Sequence, residues 1–185
     1  MALSIFMNVK FPKIITKYSL FLLMIITITG GIRLYYFPSD IPLNLDSLYY
    51  FWYSSDIFHS GELSKEWFPN NIGWPIFVSF FFTILDSEDI FALMQIQKLL
   101  SVLVSILIII PTYFLCKKFV AREFALIGAS FIAFDPRLTI NSFLGVTDSF
   151  YILLVTTSLV LFFSSNKKIN YFSFVLISFA TVVRG

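Results

Sequence analysis

Groups able to do chemistry are scarce in this chain, and nearly all of them are carboxylates. Its 185 residues include one cysteine, Cys116, and one histidine. A single cysteine excludes an intrachain disulfide, and one Cys with one His cannot build a Cys/His zinc site. Cys116 therefore reads as a packing residue. Among the acids, two stand out by their surroundings. Asp46 opens the run Leu45-Asp46-Ser47-Leu48-Tyr49-Tyr50-Phe51-Trp52-Tyr53. That run predicts a short interfacial helix with Asp46, Tyr50 and Tyr53 on one face and Leu45, Leu48 and Trp52 towards lipid. Asp148 lies in Phe143-Leu144-Gly145-Val146-Thr147-Asp148-Ser149, just before an apolar run. There Gly145 permits a turn and Thr147 can support a carboxylate. Each acid also has a plainer reading: Asp148 as a helix N-cap, Asp46 as a solvated loop acid or a cap. Asp40, Asp56, Glu62 and Glu66 read as ordinary loop charges, with Asp56 close enough to Asp46 to stay in view.

The elements that must position these acids are apolar. Only 13% of residues are charged, 58% are hydrophobic, and 24 are Phe, whereas a soluble chain carries about a quarter charged residues. So little polar surface cannot cover a water-facing globule, and the apolar residues come in long blocks, so lipid is the expected solvent. The basic residues sit in short clusters between those blocks and are not interleaved with aromatics, which argues against a nucleic-acid partner.

Residues 1–17, with Lys10, Lys13 and Lys17, form a predicted cytoplasmic N-terminus before a first span over 18–37, roughly 30 Å as a helix. No small-x-small cleavage site precedes Arg33, and Tyr35 and Tyr36 look like an interfacial anchor, so retention is expected over removal as a signal peptide. Residues 38–89 differ in kind: eight acids stand against Lys65 alone, beside all three tryptophans, Trp52, Trp67 and Trp74. That composition describes an outer loop lying against the headgroups. Within it, 74–85 reaches only about 18 Å, which predicts an interfacial or re-entrant helix.

Residues 90–185 are expected to supply transmembrane helices 2 to 5. The first runs over 90–116, with Gln95, Gln97 and Lys98 in its early turns and Pro111 near its end. The others run over 124–140, interrupted by Asp135, Pro136 and Arg137, then 150–163, then from 171 to Arg184. Positive-inside bias should place the N-terminus, Lys117 to Arg122, and Lys167 with Lys168 on one side. This works only if 74–85 does not cross. The result is about five crossings, with the acidic loop and the turn over 141–149 both outside, which brings Asp46 and Asp148 to the same face. Lys98 within a span either snorkels or serves a function, and Arg184 reads as an end-of-helix anchor. The last apolar stretch stops without a cap or polar tail, and a truncated chain is expected.

In this order the features resemble the C-type glycosyltransferase superfamily (GT-C), including dolichyl-phosphate-mannose:protein mannosyltransferases, aminoarabinose transferases and the catalytic subunit of oligosaccharyltransferase. A cytoplasmic start and first span lead to an outer-loop Asp46 followed by Tyr49 and Tyr50. Then come Ser60-Gly61-Glu62-Leu63 and Asn71-Ile72-Gly73-Trp74-Pro75-Ile76-Phe77, similar to the family's Pro-containing juxtamembrane helix. A span with one basic residue, Lys98, a basic turn, Asp135-Pro136 and Thr147-Asp148 complete the series. Oligosaccharyltransferases usually carry a D-x-D in the second outer loop, where this chain has Val146, which favours the monosaccharide-transferring branches.

The resemblance implies an all-α integral membrane protein with outer-face juxtamembrane helices, the N-terminal part of an enzyme with many more spans, located in the cell membrane. It implies a polyprenyl-phosphate sugar donor and a protein, lipid or glycan acceptor. Asp46 becomes the general base or acceptor-orienting acid, and Asp148 a second acid that positions acceptor or a divalent ion (Mg2+ or Mn2+). Both would be the ligands if a metal is used. Tyr49, Tyr50 and Asp56 would border substrate, and Lys98 would neutralise the lipid phosphate. The rival from another class is a transport or structural membrane protein, although no internal repeat is found and the acids concentrate in the outer loop.

Overall fold

A computed structural model describes residues 17–43, 45–63 and 71–184, and every regular element among them is an α-helix. Lys10, Lys13, Lys65, Glu66 and Trp67 lie outside the described residues. The helices are α1 Lys17–Tyr35, α2 Leu45–Ser60, α3 Gly73–Leu85, α4 Ile90–Leu107, α5 Ile109–Phe119, α6 Arg122–Ala133, α7 Pro136–Leu144, α8 Asp148–Phe162 and α9 Lys167–Val183.

Their boundaries follow local chemistry. Asp89 caps α4 by accepting the Phe91 N–H at 2.9 Å, and Asn166 caps α9 by accepting from Lys168. The break between α4 and α5 falls where Pro111 would oppose the carbonyl of Leu107, four residues back, which is the contact a proline ring cannot make within a regular helix. The expected third span over 124–140 is instead two helices. Asp135 accepts the Leu138 N–H at 2.6 Å and Pro136 occupies the first helical position, so a new helix starts there. The 12 residues of α6 alone reach about 18 Å. The expected outer turn over 141–149 is also partly helical, since α7 continues to Leu144 and closes on Gly145 at φ 72°.

Among the described residues, two helices are long and apolar enough to cross a membrane, Lys17–Tyr35 and the nearly continuous Ile90–Phe119. Leu20, Phe21, Leu23, Met24, Ile28, Ile32 and Leu34 are all exposed on α1. An apolar surface of that extent suits contact with hydrocarbon far better than contact with water.

The core is built in two parts. Phe51 of α2, Trp74, Val78 and Phe82 of α3, Leu93, Leu100 and Val104 of α4, and Phe150 and Leu154 of α8 form the larger cluster. The smaller one joins Ile109 and Tyr113 of α5 to Ala125, Ala129 and Ala133 of α6, with Cys116 packed at its edge. Those alanines, one turn apart, let the backbones approach closely. A methyl added at Gly128 would sit 2.8 Å from Cys116 Sγ.

Candidate functional site

Asp46 and Asp148 line the same polar cavity, about 400 Å³ in volume, together with Tyr50, Asn71, Asn141 and Arg184. Elements distant in sequence converge there because buried polar groups of α4 and α3 tie them together. Gln97 of α4 is fully buried, and its Nε2 donates at 2.9 Å both to the Ser47 carbonyl and to the Gly145 carbonyl. One side chain thus joins the start of α2, beside Asp46, to the turn before Asp148. Trp74 Nε1 donates to the same Gly145 carbonyl at 3.1 Å. Its ring stacks on Phe77, which stacks in turn on Phe150 of α8 with centroids 4.6 Å apart. Buried amide and indole donors of this kind specify one arrangement, since losing them strands polar atoms in an apolar interior.

The two carboxylates stand in different surroundings. Asp148 is the first residue of α8, following Thr147, and does not cap the helix. Its Oδ2 accepts from Asn141 Nδ2 at 2.7 Å, and its Oδ1 pairs with the Arg184 guanidinium. Asp46 is exposed in the first turn of α2 and makes no hydrogen bond or ion pair to a described residue. Tyr50 reaches the cavity one turn on, where its hydroxyl accepts from Asn71 Nδ2 at 3.4 Å. Tyr53, expected on the same face, is instead buried at 3% exposure. Burial, with Tyr49 adding to it, raises its pKa above the ordinary tyrosine value, so it stays protonated. Of the residues expected towards lipid, Leu45 and Trp52 are exposed, whereas Leu48 packs on the core.

Three residues expected at the site do not line this cavity. Tyr49 packs edge-on against Tyr50, and Asp56 is half-buried more than two turns further along α2. Lys98 is buried, and its Nζ donates to the carbonyls of Pro38 at 2.7 Å and Ile41 at 2.6 Å. It anchors the loop leading to α2, and the role of phosphate partner does not suit a charge already spent on two carbonyls. The cation in the cavity is Arg184, and the neutral hydrogen-bonding groups are Asn71 and Asn141. Sequence reasoning missed these three because each was read as part of a loop or a helix end. Gln97 gave a usable signal, being an uncharged polar residue deep in an apolar block.

A second buried cation, Arg33, holds α1 in place. Its guanidinium donates to Ser105 Oγ of α4, to the Ala133 carbonyl at 3.2 Å and to Thr139 Oγ1 at 3.4 Å. The site does not fit a divalent ion as arranged. Both Asp148 oxygens are engaged, one of them by a guanidinium that would repel a cation, and no group of three His, Cys, Asp or Glu side chains occurs among the described residues. Compared with described protein families, curated proteins and solved structures, the chain has no match.

Proposed function

We propose that this chain is the N-terminal part of a C-type membrane glycosyltransferase, which takes a sugar from a polyprenyl-phosphate donor and transfers it to a protein, lipid or glycan acceptor at the extracytoplasmic face of the cell membrane. In this reading α1, α4 with α5, residues 124–140 of α6 and α7 together, α8 and α9 make five crossings, and α2 and α3 lie along the outer boundary. The observation that supports it best is the meeting of Asp46, Asp148 and Arg184 in one polar cavity at the end of the bundle opposite the lysine-rich turns. Positive-inside bias puts those turns in the cytoplasm and the cavity outside.

The chemistry asks little of the protein, because the donor's sugar–phosphate bond is already activated. Asp46, unengaged among the described residues, takes the proton of an acceptor hydroxyl or amide. The acceptor atom forms its bond to the anomeric carbon as the bond from that carbon to the phosphate oxygen breaks, and the lipid phosphate leaves with the electron pair. Arg184 meets the charge on the phosphate, and Asp148, fixed by Asn141, holds Arg184 and orients the acceptor. A transport role is less well supported, because the cations within the apolar helices, Arg33 and Lys98, donate hydrogen bonds to neighbouring carbonyls and hydroxyls and so are held by the fold.

The test uses membranes carrying the complete protein, supplied with labelled polyprenyl-phosphate sugars. Asp46→Asn should lower transfer by a factor of about a hundred or more while insertion is unchanged. Retained turnover in that variant removes the assignment. Reporter tags beside Asp46 and Asp148 appearing on opposite sides of the membrane remove the whole reading.

A further inference from the structure

The end of the bundle away from the polar cavity carries cations with little to neutralise them. Tyr18 at the start of α1 donates to Glu123 at the start of α6, and Lys118 Nζ donates to the Phe163 carbonyl at 3.0 Å, so the α5–α6 and α8–α9 turns meet there. Lys17, Lys117, Lys118, Arg122, Lys167 and Lys168 belong to this end. Its one acid among the described residues is Glu123, whose charge is shared with Tyr18, Lys17 and Arg122. Residues 1–16 contain no Asp or Glu that could make up the difference. Lys117, Lys167 and Lys168 have no hydrogen-bond or ion-pair partner for their ammonium groups among the described residues.

Between α5, α8 and α9 at this end lies a cavity of about 420 Å³. Its apolar walls come from Phe114, Val160, Leu161 and Ile169, and its polar groups are Lys117, Lys118 and Ser164. The Lys117 ammonium lies 5.8 Å from the Phe114 ring centroid, over the apolar wall. The Ser164 hydroxyl accepts from the Asn166 N–H at 3.3 Å, and its own proton goes to no described residue.

We propose that this cavity is a binding site for an anionic phospholipid of the adjoining leaflet. The headgroup phosphate sits at Lys117 and Lys118, with a hydrogen bond from Ser164, and an acyl chain lies along the apolar wall. Two unneutralised ammonium groups beside hydrocarbon-compatible walls match a ligand that is negative at one end and apolar at the other. A headgroup carrying its own cation brings less net charge and binds less well. The site stands independently of glycosyl transfer and requires only that the chain lie in a bilayer.

Native mass spectrometry of the full chain in detergent tests it, using phosphatidylglycerol and phosphatidylcholine of matched acyl chains, with soluble glycerol phosphate as the competitor. The wild type should prefer phosphatidylglycerol by about tenfold. K117Q/K118Q should lose that preference, K167Q/K168Q should keep most of it, and glycerol phosphate should fail to displace the lipid at equal concentration. Should loss of the Lys118 contact to Phe163 disturb folding, Lys117→Gln alone breaks no hydrogen bond and should still cut the preference by about threefold. Four outcomes overturn the proposal: equal binding of both lipids by the wild type, an undiminished preference in K117Q/K118Q and in Lys117→Gln, an equal loss in K167Q/K168Q, or displacement by glycerol phosphate.

Discussion

At the end of the bundle that holds the polar cavity, Lys98 and Arg33 are buried and donate hydrogen bonds to carbonyls and hydroxyls of neighbouring segments. At the other end, Lys117, Lys167 and Lys168 are exposed and their ammonium groups have no partner among the described residues. The same residue type thus does opposite work. A buried ammonium must be satisfied internally, so it fixes the loops it touches. An exposed one is solvated, contributes little to stability, and stays available to whatever charge lies outside the protein.

The contrast breaks most visibly at the two kinds of lysine. Lys98→Met should destabilise the fold by about 3 kcal/mol, because the carbonyls of Pro38 and Ile41 each lose a charged donor. The loop over 38–43 should then become sensitive to protease. Lys117→Met should stay within about 0.5 kcal/mol of the wild type. Thermal unfolding in one detergent, followed for both variants, reads the difference. Equal midpoints would mean that Lys98 is not the clamp its contacts suggest.

A smaller effect contrasts two glycines at the cavity end, one closely packed and one open. A methyl at Gly73 would lie 2.7 Å from Val183 Cγ2 and 3.1 Å from the backbone of Val183, whereas one at Gly31 meets nothing within 4 Å. Gly73→Ala should therefore cost about 1–3 kcal/mol, and it should push the end of α9 away from α3, loosening the pair between Arg184 and Asp148. Gly31→Ala should be neutral or stabilising by up to about 1 kcal/mol. In the Gly73 variant, transfer should fall further than stability alone explains. Unchanged stability would show that α3 and α9 do not need this close approach.

How much of this was legible beforehand depended on whether a residue acts through its neighbours in sequence or across the fold. The helical class was legible in the apolar blocks, and so were the short helix at 74–85 and the break signalled by Asp135-Pro136, even though the sequence reading carried one span through that break. The pairing of Asp46 with Asp148 was reached through topology and the charge of the turns, which are properties of whole segments. The partners of Asp148 were not legible. A carboxylate before an apolar run is most simply a cap, and only the return of α9 brings Arg184 to it. Lys98 failed for the complementary reason. Its neighbours in sequence say that a cation lies in a span, but its acceptors, Pro38 and Ile41, belong to a loop about sixty residues earlier that folds back over α4.

The smallest expected effect belongs to the exposed pair at the lysine-rich end. The Tyr18 hydroxyl donates to Glu123, and this bond, with help from Lys17 and Arg122, holds the Glu123 carboxyl below its ordinary value. A carboxyl whose folded pKa is depressed binds its proton less readily in the folded state than in the unfolded one. Its contribution to stability is therefore present above the unfolded pKa and is lost as pH falls through the folded one. Tyr18→Phe should lower the unfolding midpoint slightly at neutral pH, and the gap from the wild type should close on acidification below the carboxylate range. Glu123→Gln should lack that acid-dependent step altogether. A gap that persists unchanged in acid would show that Tyr18 acts by packing α1 on α6 and that its hydrogen bond adds nothing.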